Sequence, residues 1–508
     1  MASTINKPKG TEDLIGNDAL VWSYLCDVAE QVFTPYGYAP IEVPMFEQAD
    51  VFVHGLGTST DVVRKEMFSV LSPDGYSKVS EGRAGELKAD QRLALRPEGT
   101  AGTVRAAIEH NLVPQGAAPA KLWYAGSMFR AERPQKGRLR EFHQIGVECL
   151  GATDPAADAE MIVMFMRFVE ALGIDPSGVR LLINSMGDDA CRPAYRDSVS
   201  AYIRAHEDEL CEECRRRADT NPLRAFDCKN EHCHEVMEGA PKISDALCPE
   251  CREHYAAVKR YLDAQRIAYE EDPRLVRGLD YYTRTVFEVQ VTDGMGAQNA
   301  IGGGGRYDKL FETAGGRPTA GLGFAAGFER LLLAMRACGA PLPEPVRPDV
   351  YVALADATQA GAEAAFALTQ ELRDCGFIVE ADRQGRSLKS QFKQADKCEA
   401  AMVVVLGPDE LAAGGAKLRD MTSHDERVVP LGDVASELAA ALGYVADDEC
   451  GCGCGDPDCG CDEHGEGHDH ACGCGDADCA CHGEGHDHDH ADADGCCGDC
   501  DRGEKHAH

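Results

Sequence analysis

The sequence lacks both a long apolar run and a secretory leader. No hydrophobic stretch approaches the roughly 20 residues that a helix needs to cross a bilayer. Residues 1–11 contain no apolar core of the kind found in signal peptides. These absences predict a soluble, cytoplasmic protein with no membrane partner.

Positive charge is scarce. The 508 residues include 51 Lys and Arg against 86 Asp and Glu, which gives a net charge of −35. Nearly half of that excess, −17, lies in residues 447–508, where 19 acidic residues face one Arg and one Lys. Because nucleic-acid binders are usually basic, this balance excludes indiscriminate binding to nucleic acid. Selective, salt-sensitive contacts through local basic patches remain open.

Two common nucleotide-binding motifs are absent. No segment matches G-x-x-x-x-G-K-[ST], so a P-loop is excluded. The glycines Gly321, Gly323 and Gly327 resemble the dinucleotide fingerprint but have the wrong spacing. They indicate a close backbone approach within a strand instead.

The length and the order of the elements predict several domains. Two strands, 121–129 and 141–149, are separated by a short basic loop and therefore form an antiparallel pair. This favours an α+β catalytic domain, with an antiparallel sheet flanked by helices, over a doubly wound fold. Beyond a Pro-rich linker, strands alternate with helices, which is typical of a small α/β domain with a largely parallel sheet. The predicted boundaries are 1–340 for the catalytic domain, about 185–269 for a helical insertion within it, 341–348 for the linker, 349–445 for the α/β domain and 446–508 for a tail.

The tail is a low-complexity repeat of cysteine and histidine. It has almost no bulky apolar side chains, so we expect it to be disordered without a ligand. Its twelve Cys and nine His suit soft to borderline ions such as Zn²⁺, Ni²⁺ or Cu⁺. The alternative is a solvated acidic extension that binds metal only adventitiously. The candidate ligands that recur in both copies of the repeat are Cys452, Cys454, Cys459, Cys461, His468, His470, Cys472, Cys474, Cys479, Cys481, His486 and His488.

The insertion contains a second group of cysteines, which includes two C-x-x-C pairs. Such pairs, with further Cys and His between them, can close a tetrahedral zinc site. The alternative is ordinary reduced thiols. Several ligand sets are open, among them Cys214, Cys228, Cys248 and Cys251, and the candidate ligands are Cys211, Cys214, Cys228, Cys248 and Cys251.

Strand alternation places several polar residues on one face. Gln144 and Glu148 project together with Phe142 and Gly146, and we expect the glycine between them to leave space for a small polar ligand. Glu148 could accept an N–H from an imidazole while the Tyr282 hydroxyl contacts the other ring nitrogen. For Glu148 alone, a solvated strand residue is the plain alternative.

Fixed cations and a carboxylate occupy the ends of predicted elements. Arg277 precedes a strand, where its planar guanidinium suits a phosphate. The adjacent Tyr281 and Tyr282 are expected to point to opposite faces, so that only one shares a pocket with a ligand. Glu98, at a strand-to-helix transition, could pair with an amino group or could simply stabilise a helix N-terminus. Arg130 and Arg330 could hold one triphosphate, or both could be surface residues.

Three segments together resemble the histidyl-tRNA synthetase family. They are 277–282 (RGLDYY), 96–100 (RPEGT) and 142–148 (FHQIGVE), and the resemblance extends over residues 5–442. It implies a class II aminoacyl-tRNA synthetase fold with Pro44 ending motif 1. Motif 2 would span 129–142 and motif 3 would span 327–330. Residues 77–90 are long for the family's hairpin at that place.

The resemblance also implies a reaction and its residues. Histidine and ATP with Mg²⁺ would give histidyl-adenylate, which then acylates tRNA(His), while residues 349–442 bind the anticodon. The enzyme would be a homodimer joined through motif 1. By resemblance, Arg130 and Arg277 contact the α-phosphate and Arg330 the γ-phosphate. The histidine amino group would be contacted by Glu98, Thr100 and Gln144. The imidazole would be contacted by Glu148 and Tyr282, with Tyr281 beside them. The tRNA acceptor end would be contacted by Arg133 and Gln135.

Two other functions are compatible with part of this pattern. One is a synthetase-like regulatory subunit of histidine biosynthesis, although such paralogues typically lose the nucleotide-site arginines and the anticodon domain. The other is a metal-storage protein carried on a synthetase body. Arg130, Arg277, Arg330 and the α/β domain after the linker argue against the first, and intact substrate-site residues disfavour the second as the sole role.

Overall fold

The computed structural model describes residues 5–57, 60, 62–135, 137–228, 230–276, 281–296, 299–355 and 358–444. The described residues form two compact units, one ending at Val346 and the other beginning at Arg347. No helix among these residues is both long enough and apolar enough to cross a membrane. The tail and its predicted metal ligands lie outside the described residues.

The first unit is built on an eight-stranded sheet. Its strand order is β1-β5-β6-β11-β10-β9-β7-β8, and the six central strands pair antiparallel. The two edge strands pair parallel to their neighbours, which the sequence did not indicate. The predicted antiparallel sheet flanked by helices is therefore confirmed for its central strands. The strands are β1 (Ala39–Pro40), β5 (Ala120–Phe129), β6 (Glu141–Leu150), β7 (Val179–Ser185), β8 (Glu270–Glu271), β9 (Thr283–Val291), β10 (Ala300–Arg306) and β11 (Gly321–Gly327).

A smaller sheet and a set of helices complete this unit. The small sheet has the order β2-β4-β3, with strands Phe46–Gln48, Leu93–Leu95 and Ser69–Val70 for β2, β4 and β3. Residues 77–90 contain the end of a short helix and two 3₁₀ turns. The helices are α1 (Asn17–Phe33), α2 (Ala49–Leu56), α3 (Pro73–Ser80), α4 (Thr100–Glu109), α5 (Pro155–Ala171), α6 (Arg192–Ala205), α7 (Glu212–Thr220), α8 (Glu231–Glu238), α9 (Ile243–Ala246), α10 (Pro249–Ala264), α11 (Leu310–Thr313) and α12 (Phe328–Cys338).

The two faces of the large sheet bury different residues. Ile145 and Val147 of β6 belong to a large apolar core formed with helices α1, α5, α10 and α12. Gln144 and Glu148 lie on the opposite face, as the alternation of a strand requires. The second face packs a smaller apolar cluster from α2, α4 and α11, and it carries the cavity described below.

The insertion consists of α6 to α10, which bring a hydrophobic core of their own. Apolar side chains and buried cysteines fill that core, among them Val199, Ile203 and Leu247. This segment was expected to be charged and helical. In α6 and α7 only a few residues face the core, and most of the other positions are polar.

The second unit is a five-stranded sheet with helices. Its order is β13-β12-β14-β15-β16, in which β12 pairs parallel with β13 and β14, whereas β14, β15 and β16 pair antiparallel. The predicted largely parallel sheet is wrong for this second half, because β15 runs antiparallel to β14 and β16 runs antiparallel to β15. The elements are β12 (Val350–Leu354), α13 (Gln359–Asp374), β13 (Val379–Ala381), α14 (Leu388–Lys397), β14 (Met402–Leu406), α15 (Pro408–Ala412), β15 (Gly415–Asp420), β16 (Glu426–Pro430) and α16 (Val434–Leu442).

Candidate functional site

A polar cavity of about 410 Å³ lies over the second face of the large sheet. It brings together residues that are widely separated in sequence, from Val62 to Arg330. Cationic and anionic side chains both contribute to its walls. The predicted site residues that line it are Glu98, Thr100, Arg130, Gln144, Tyr281, Tyr282 and Arg330.

Glu148 lies outside the wall of this cavity and is almost fully buried. Its Oε1 accepts hydrogen bonds from Thr100 Oγ1 at 2.6 Å and from the Tyr124 hydroxyl at 3.2 Å. Its Oε2 accepts from the Tyr307 hydroxyl. The solvated alternative is thus excluded. Glu148 instead organises three hydroxyl groups around the cavity.

The space above Gly146 is filled, so the prediction that this glycine leaves room for a ligand is wrong. Tyr124 lies directly opposite Gly146 on the neighbouring strand. A Cβ built on Gly146 would come within 2.4 Å of the Tyr124 hydroxyl oxygen, and one on Gly99 within 2.2 Å of the same ring. The two glycines therefore accommodate the tyrosine that bonds to Glu148, because a side chain at either place would displace its ring.

The environment of Glu148 shifts its protonation. Burial raises the pKa of Glu148 to about 8, although the hydrogen bonds from Thr100 and Tyr307 oppose the shift. In the unfolded chain the carboxyl titrates near its usual value of about 4.3. The contribution of this carboxyl to folding stability is therefore fully present below that pH and is lost as the pH rises toward 8.

Replacing Glu148 with Gln should reveal this loss. The difference in melting temperature, Glu148→Gln minus wild type, should shift in favour of the variant by several degrees between pH 5 and pH 8, because glutamine does not titrate. Thermal unfolding across this pH range measures the shift. The exposed Glu170→Gln provides the control, for which the difference in melting temperature should be small. A flat difference for Glu148→Gln would show that the buried carboxyl does not titrate in this way.

Glu98 bonds to the first turn of a helix and also faces the cavity. Its two carboxylate oxygens accept from Thr100 N at 2.8 Å and Ala101 N at 2.9 Å, which are in the first turn of α4. It thus stabilises the helix N-terminus, where backbone N–H groups have no partner within the helix. It also lines the cavity, and burial raises its pKa. An incoming ammonium group would offset the cost of burying the charged carboxylate.

Both tyrosines of the pair line the cavity, so the prediction that only one could is wrong. Tyr281 and Tyr282 precede β9 and are not part of it, so strand alternation does not separate their side chains. Their ring centroids lie 4.6 Å apart at an interplanar angle of 50°. Burial raises the pKa of the Tyr281 hydroxyl, which keeps this phenol protonated and able to donate.

Arg130 and Arg330 line the same cavity and are held by backbone carbonyls. Arg130 Nε donates to Pro97 O at 2.9 Å, and its guanidinium carbon lies 5.1 Å from the centroid of the Phe142 ring. Arg330 Nη1 donates to Ala300 O at 2.8 Å. Burial lowers the pKa of Arg330, and the nearby charges of Arg138 and Arg130 act in the same direction. Two surface arginines would neither line a cavity nor be held by backbone carbonyls in this way.

The remaining predicted contacts lie apart from the cavity wall. Arg133 and Gln135 are exposed on the loop between β5 and β6, where Gln135 and Arg138 exchange backbone hydrogen bonds. Such an exposed loop is available to a large ligand. Arg277 lies outside the described residues.

The cysteines of the insertion form two clusters, and each contains one C-x-x-C pair. Within each cluster the potential donor atoms lie within 4.8 Å of one another. The ligand set of Cys214, Cys228, Cys248 and Cys251 is wrong, because the C-x-x-C pairs begin two different helices, α7 and α10, and each pair meets different partner residues. The first cluster comprises Cys211, Cys214, Cys228 and Cys233, and the second comprises Asp188, Cys191, Cys248 and Cys251.

Sequence reasoning missed several residues of the cavity. Tyr307 forms part of the cavity wall, and Tyr124 supports the wall from the neighbouring strand. The spacing of these two residues in the sequence does not distinguish a tyrosine of a polar site from a tyrosine of the core. Glu329 also lines the cavity and accepts from His143 N at 3.0 Å. The sequence could have pointed to Glu329, because this residue directly precedes Arg330 in the motif 3 segment.

Comparison with known proteins gives a consistent picture. Residues 10–331 match the model of the family described as histidyl-tRNA synthetase, and residues 349–441 match the model described as an anticodon binding domain. Neither match extends into the tail.

Similar proteins and structures agree with these matches. A histidine–tRNA ligase from Anaeromyxobacter sp. (strain K) is 46% identical over 435 residues, which are 86% of this chain and 99% of that protein. One from Desulforamulus reducens is 44% identical over 437 residues, 85% of this chain and 99% of that protein. The crystal structure of apo histidyl-tRNA synthetase from S. aureus superposes with a TM-score of 0.69 at 33% identity, covering 86% of this chain and all of that one.

A structure from Bacillus halodurans described as an ATP phosphoribosyltransferase regulatory subunit/histidyl-tRNA synthetase shares the fold. Its TM-score is 0.56 at 18% identity, and the match covers 80% of this chain and 99% of that one.

Proposed function

The chain belongs to the histidyl-tRNA synthetase family, a family of aminoacyl-tRNA synthetases, and from this premise we propose that it activates histidine with ATP and transfers it to tRNA(His). The observation that carries the proposal is the joint placement of Gln144, Arg130 and Arg330 in one cavity. This placement supports an amino-acid site next to a polyanion site.

In the first step, a carboxylate oxygen of histidine attacks the α-phosphorus of ATP. The bond from that phosphorus to the β-bridging oxygen breaks, so pyrophosphate leaves and histidyl-adenylate remains. Arg130 and Arg330 would stabilise the charge that moves onto the phosphate oxygens. Arg277 is proposed for the α-phosphate by its family position. Mg²⁺ enters with ATP, and Glu288, a carboxylate in the cavity wall, is an oxygen donor of the kind this ion prefers.

Recognition of histidine would use the polar face of the cavity. Glu98 and Gln144 would accept from the ammonium group, together with Thr100. Tyr281 and Tyr282 would contact the imidazole, and Glu148 would fix the hydroxyl groups around it. Glu148 lies behind the wall, so we propose that it accepts directly from the imidazole only if Tyr307 moves aside. A ligand without both ring nitrogens would leave buried polar groups unpaired, which disfavours it strongly.

In the second step, a hydroxyl of the terminal adenosine of tRNA attacks the histidyl carbonyl carbon, and AMP leaves. Arg133 and Gln135 are exposed on the motif 2 loop and would contact the acceptor end. Residues 349–441 would bind the anticodon, in keeping with the matched domain. This reaction belongs to translation, so we propose a cytoplasmic location.

A homodimer is proposed on the basis of motif 1. Met45 and Phe46, which follow Pro44, are large apolar side chains that each remain 53% exposed in the single chain. Exposed apolar side chains next to each other are typical of an interface.

Metal is proposed at two places. Cys211, Cys214, Cys228 and Cys233 would hold structural Zn²⁺, because the 3.8 Å between Cys211 Sγ and Cys228 Sγ equals the roughly 3.8 Å expected across a tetrahedron with Zn–S bonds of about 2.3 Å. The tail would bind Zn²⁺, Ni²⁺ or Cu⁺ through its repeated thiolates and imidazoles. Its contribution to catalysis is expected to be small, since the matched family regions end before it.

Amino-acid-dependent ATP–pyrophosphate exchange tests the proposed function. With each of the twenty amino acids, exchange should occur with histidine alone, both in the full chain and in a chain that ends at Gly443. Charging of tRNA(His) should follow in both. Histidine binding without exchange would favour the regulatory-subunit alternative, and exchange lost only in the shorter chain would give the tail a catalytic part. The regulatory alternative is disfavoured because Arg130 and Arg330 line one cavity, whereas such paralogues typically lose the nucleotide-site arginines.

A further inference from the structure

The second cysteine cluster joins two separate parts of the first unit. Asp188 and Cys191 lie in the loop that follows β7, whereas Cys248 and Cys251 begin α10 of the insertion. Cys248 is the N-cap residue of that helix. We propose that these four side chains bind a Zn²⁺ ion that fastens the insertion to the catalytic sheet, separately from the ion proposed at Cys211.

The distances between donor atoms suit a tetrahedral ion. Asp188 Oδ1 lies 3.6 Å from Cys191 Sγ and 3.8 Å from Cys248 Sγ. Zn–S bonds of about 2.3 Å and Zn–O bonds of about 2.1 Å at tetrahedral angles place oxygen and sulfur about 3.6 Å apart. All four donors lie within 4.8 Å of one another, and none of the three cysteines is in a disulfide.

The surrounding backbone is arranged to hold the sulfur atoms. Asp188 N donates to Cys191 Sγ at 3.4 Å, and Cys251 N donates to Cys248 Sγ at 3.5 Å. Amide donors of this kind orient thiolate ligands and offset their charge. Gly187 has a φ of +63°, and a Cβ there would lie 2.6 Å from Cys191 Sγ. Only glycine gives the sulfur its room.

Arg284 of β9 supports the carboxylate from behind. Its Nη2 lies 3.3 Å from Asp188 Oδ2, while Oδ1 accepts from Ala190 N at 3.0 Å and lies on the side of the sulfurs, so both oxygens are held in place. Arg284 has a φ of +48°, a conformation that residues other than glycine rarely adopt. In this conformation its N–H donates to Gly187 O at 2.8 Å and its C=O accepts from Met186 N at 2.6 Å. The strand thus adopts a rare backbone conformation where it meets the proposed ligand loop.

The loop also reaches the wall of the cavity. Arg192, which follows Cys191, donates to Met186 O at 3.2 Å and to the backbone carbonyl of Tyr282. An ion at Asp188 and Cys191 would therefore fix α10, the loop after β7 and the segment that carries Tyr282 as one unit. Three thiolates and a carboxylate favour Zn²⁺ over harder ions such as Mg²⁺.

Anomalous diffraction from crystals of the full chain tests the site without interference from the tail. Maps from data above and below the zinc absorption edge should show a peak enclosed by Asp188, Cys191, Cys248 and Cys251. Another peak should appear at the Cys211 cluster. A peak at the Cys211 cluster alone, or at neither cluster, would overturn the proposal.

Zinc content in solution provides an independent measurement on the full chain. Cys191→Ser and Cys251→Ser should each bind one equivalent fewer than wild type, and the double variant should also lose one, not two. Cys375→Ser, at an exposed cysteine of the second unit, should lose none. The tail contributes equally to all of them. Unchanged content in the serine variants contradicts the site.

Asp188→Asn is the gentler variant in case the serine variants fail to fold. It keeps an oxygen donor but removes the charge, so a competing chelator should extract this equivalent at least about 10-fold more readily. Equal extraction from Asp188→Asn and wild type would exclude Asp188 as a ligand and overturn the site as proposed.

Discussion

Arg130→Ala should reduce histidine-dependent ATP–pyrophosphate exchange by about 10²–10³-fold in kcat, with little change in the KM for histidine. The size follows from the loss of one fixed donor to a phosphate oxygen that gains charge in the transition state. The guanidinium is already positioned, because Pro97 O accepts from its Nε and the Phe142 ring lies beneath it. Steady-state exchange at several histidine concentrations separates kcat from KM.

Two variants control this experiment. Arg130→Lys keeps a charge but loses the paired donors and the bond to Pro97 O, so it should fall between wild type and alanine. Arg336→Ala removes a surface arginine of α12 that pairs with Asp18 at 2.8 Å, and exchange should stay within about 2-fold of wild type. If Arg130→Ala changed only the KM for histidine, the proposed contact with the α-phosphate would be wrong.

The cationic part of the cavity has a common physical property. Arg130, Arg138 and Arg330 all line it, and burial together with mutual repulsion lowers the pKa of Arg330. Glu132, which pairs with Arg138 at 3.2 Å, and Glu288 oppose this shift only in part. A triphosphate would relieve this repulsion, so binding of ATP and ordering of these side chains should reinforce one another.

The sequence determined the central polar strand well because β6 is regular. Gln144 and Glu148 share a face, as the alternation of a strand requires, and Ile145 is in the core on the other side. The same reasoning failed for Tyr281 and Tyr282, which precede the first residue of β9 and so follow turn geometry. Side chains alternate between the two faces only within a strand. The sequence does not show, to within one residue, where the strand begins.

Residues that fill space beside a glycine were beyond prediction. Tyr124 bonds to Glu148 only because Gly146 and Gly99 leave room for its ring, and this requires the register of β5 against β6. Register depends on pairing between strands that are distant in sequence, whereas spacing within one strand does not reveal it. Tyr307 was missed for the same reason.

The cysteines illustrate a similar limit. Two C-x-x-C pairs were visible as potential ligands, since each pair occupies the first turn of a helix. Their partners come from other segments of the chain, and Asp188 is one acidic residue among 86 Asp and Glu. Only the fold shows that Asp188 lies beside three sulfur atoms. The pairing of C-x-x-C units with each other was therefore the wrong interpretation of a correct pattern.

Gln144→Leu should weaken histidine binding while leaving the fold at least as stable. The Gln144 side-chain oxygen is buried in the cavity wall and has no hydrogen-bond partner among the residues that the structure describes. A buried acceptor without a partner costs about 1–3 kcal/mol, which leucine, of similar size, would remove. Loss of a hydrogen bond to a charged ammonium costs about 1.5–3 kcal/mol, so the KM for histidine should rise about 10–100-fold.

The opposite signs of the two effects make this experiment decisive. Exchange kinetics should show the higher KM for histidine, with the KM for ATP within about 2-fold of wild type, while thermal unfolding shows an unchanged or higher melting temperature. Gln265→Leu, at an exposed glutamine after α10, should change neither KM. A structural glutamine would behave differently, since its loss would lower the melting temperature and both affinities together. A buried acceptor without a partner calls for an explanation, and under the proposed function the ammonium group of histidine is the donor that pairs with it.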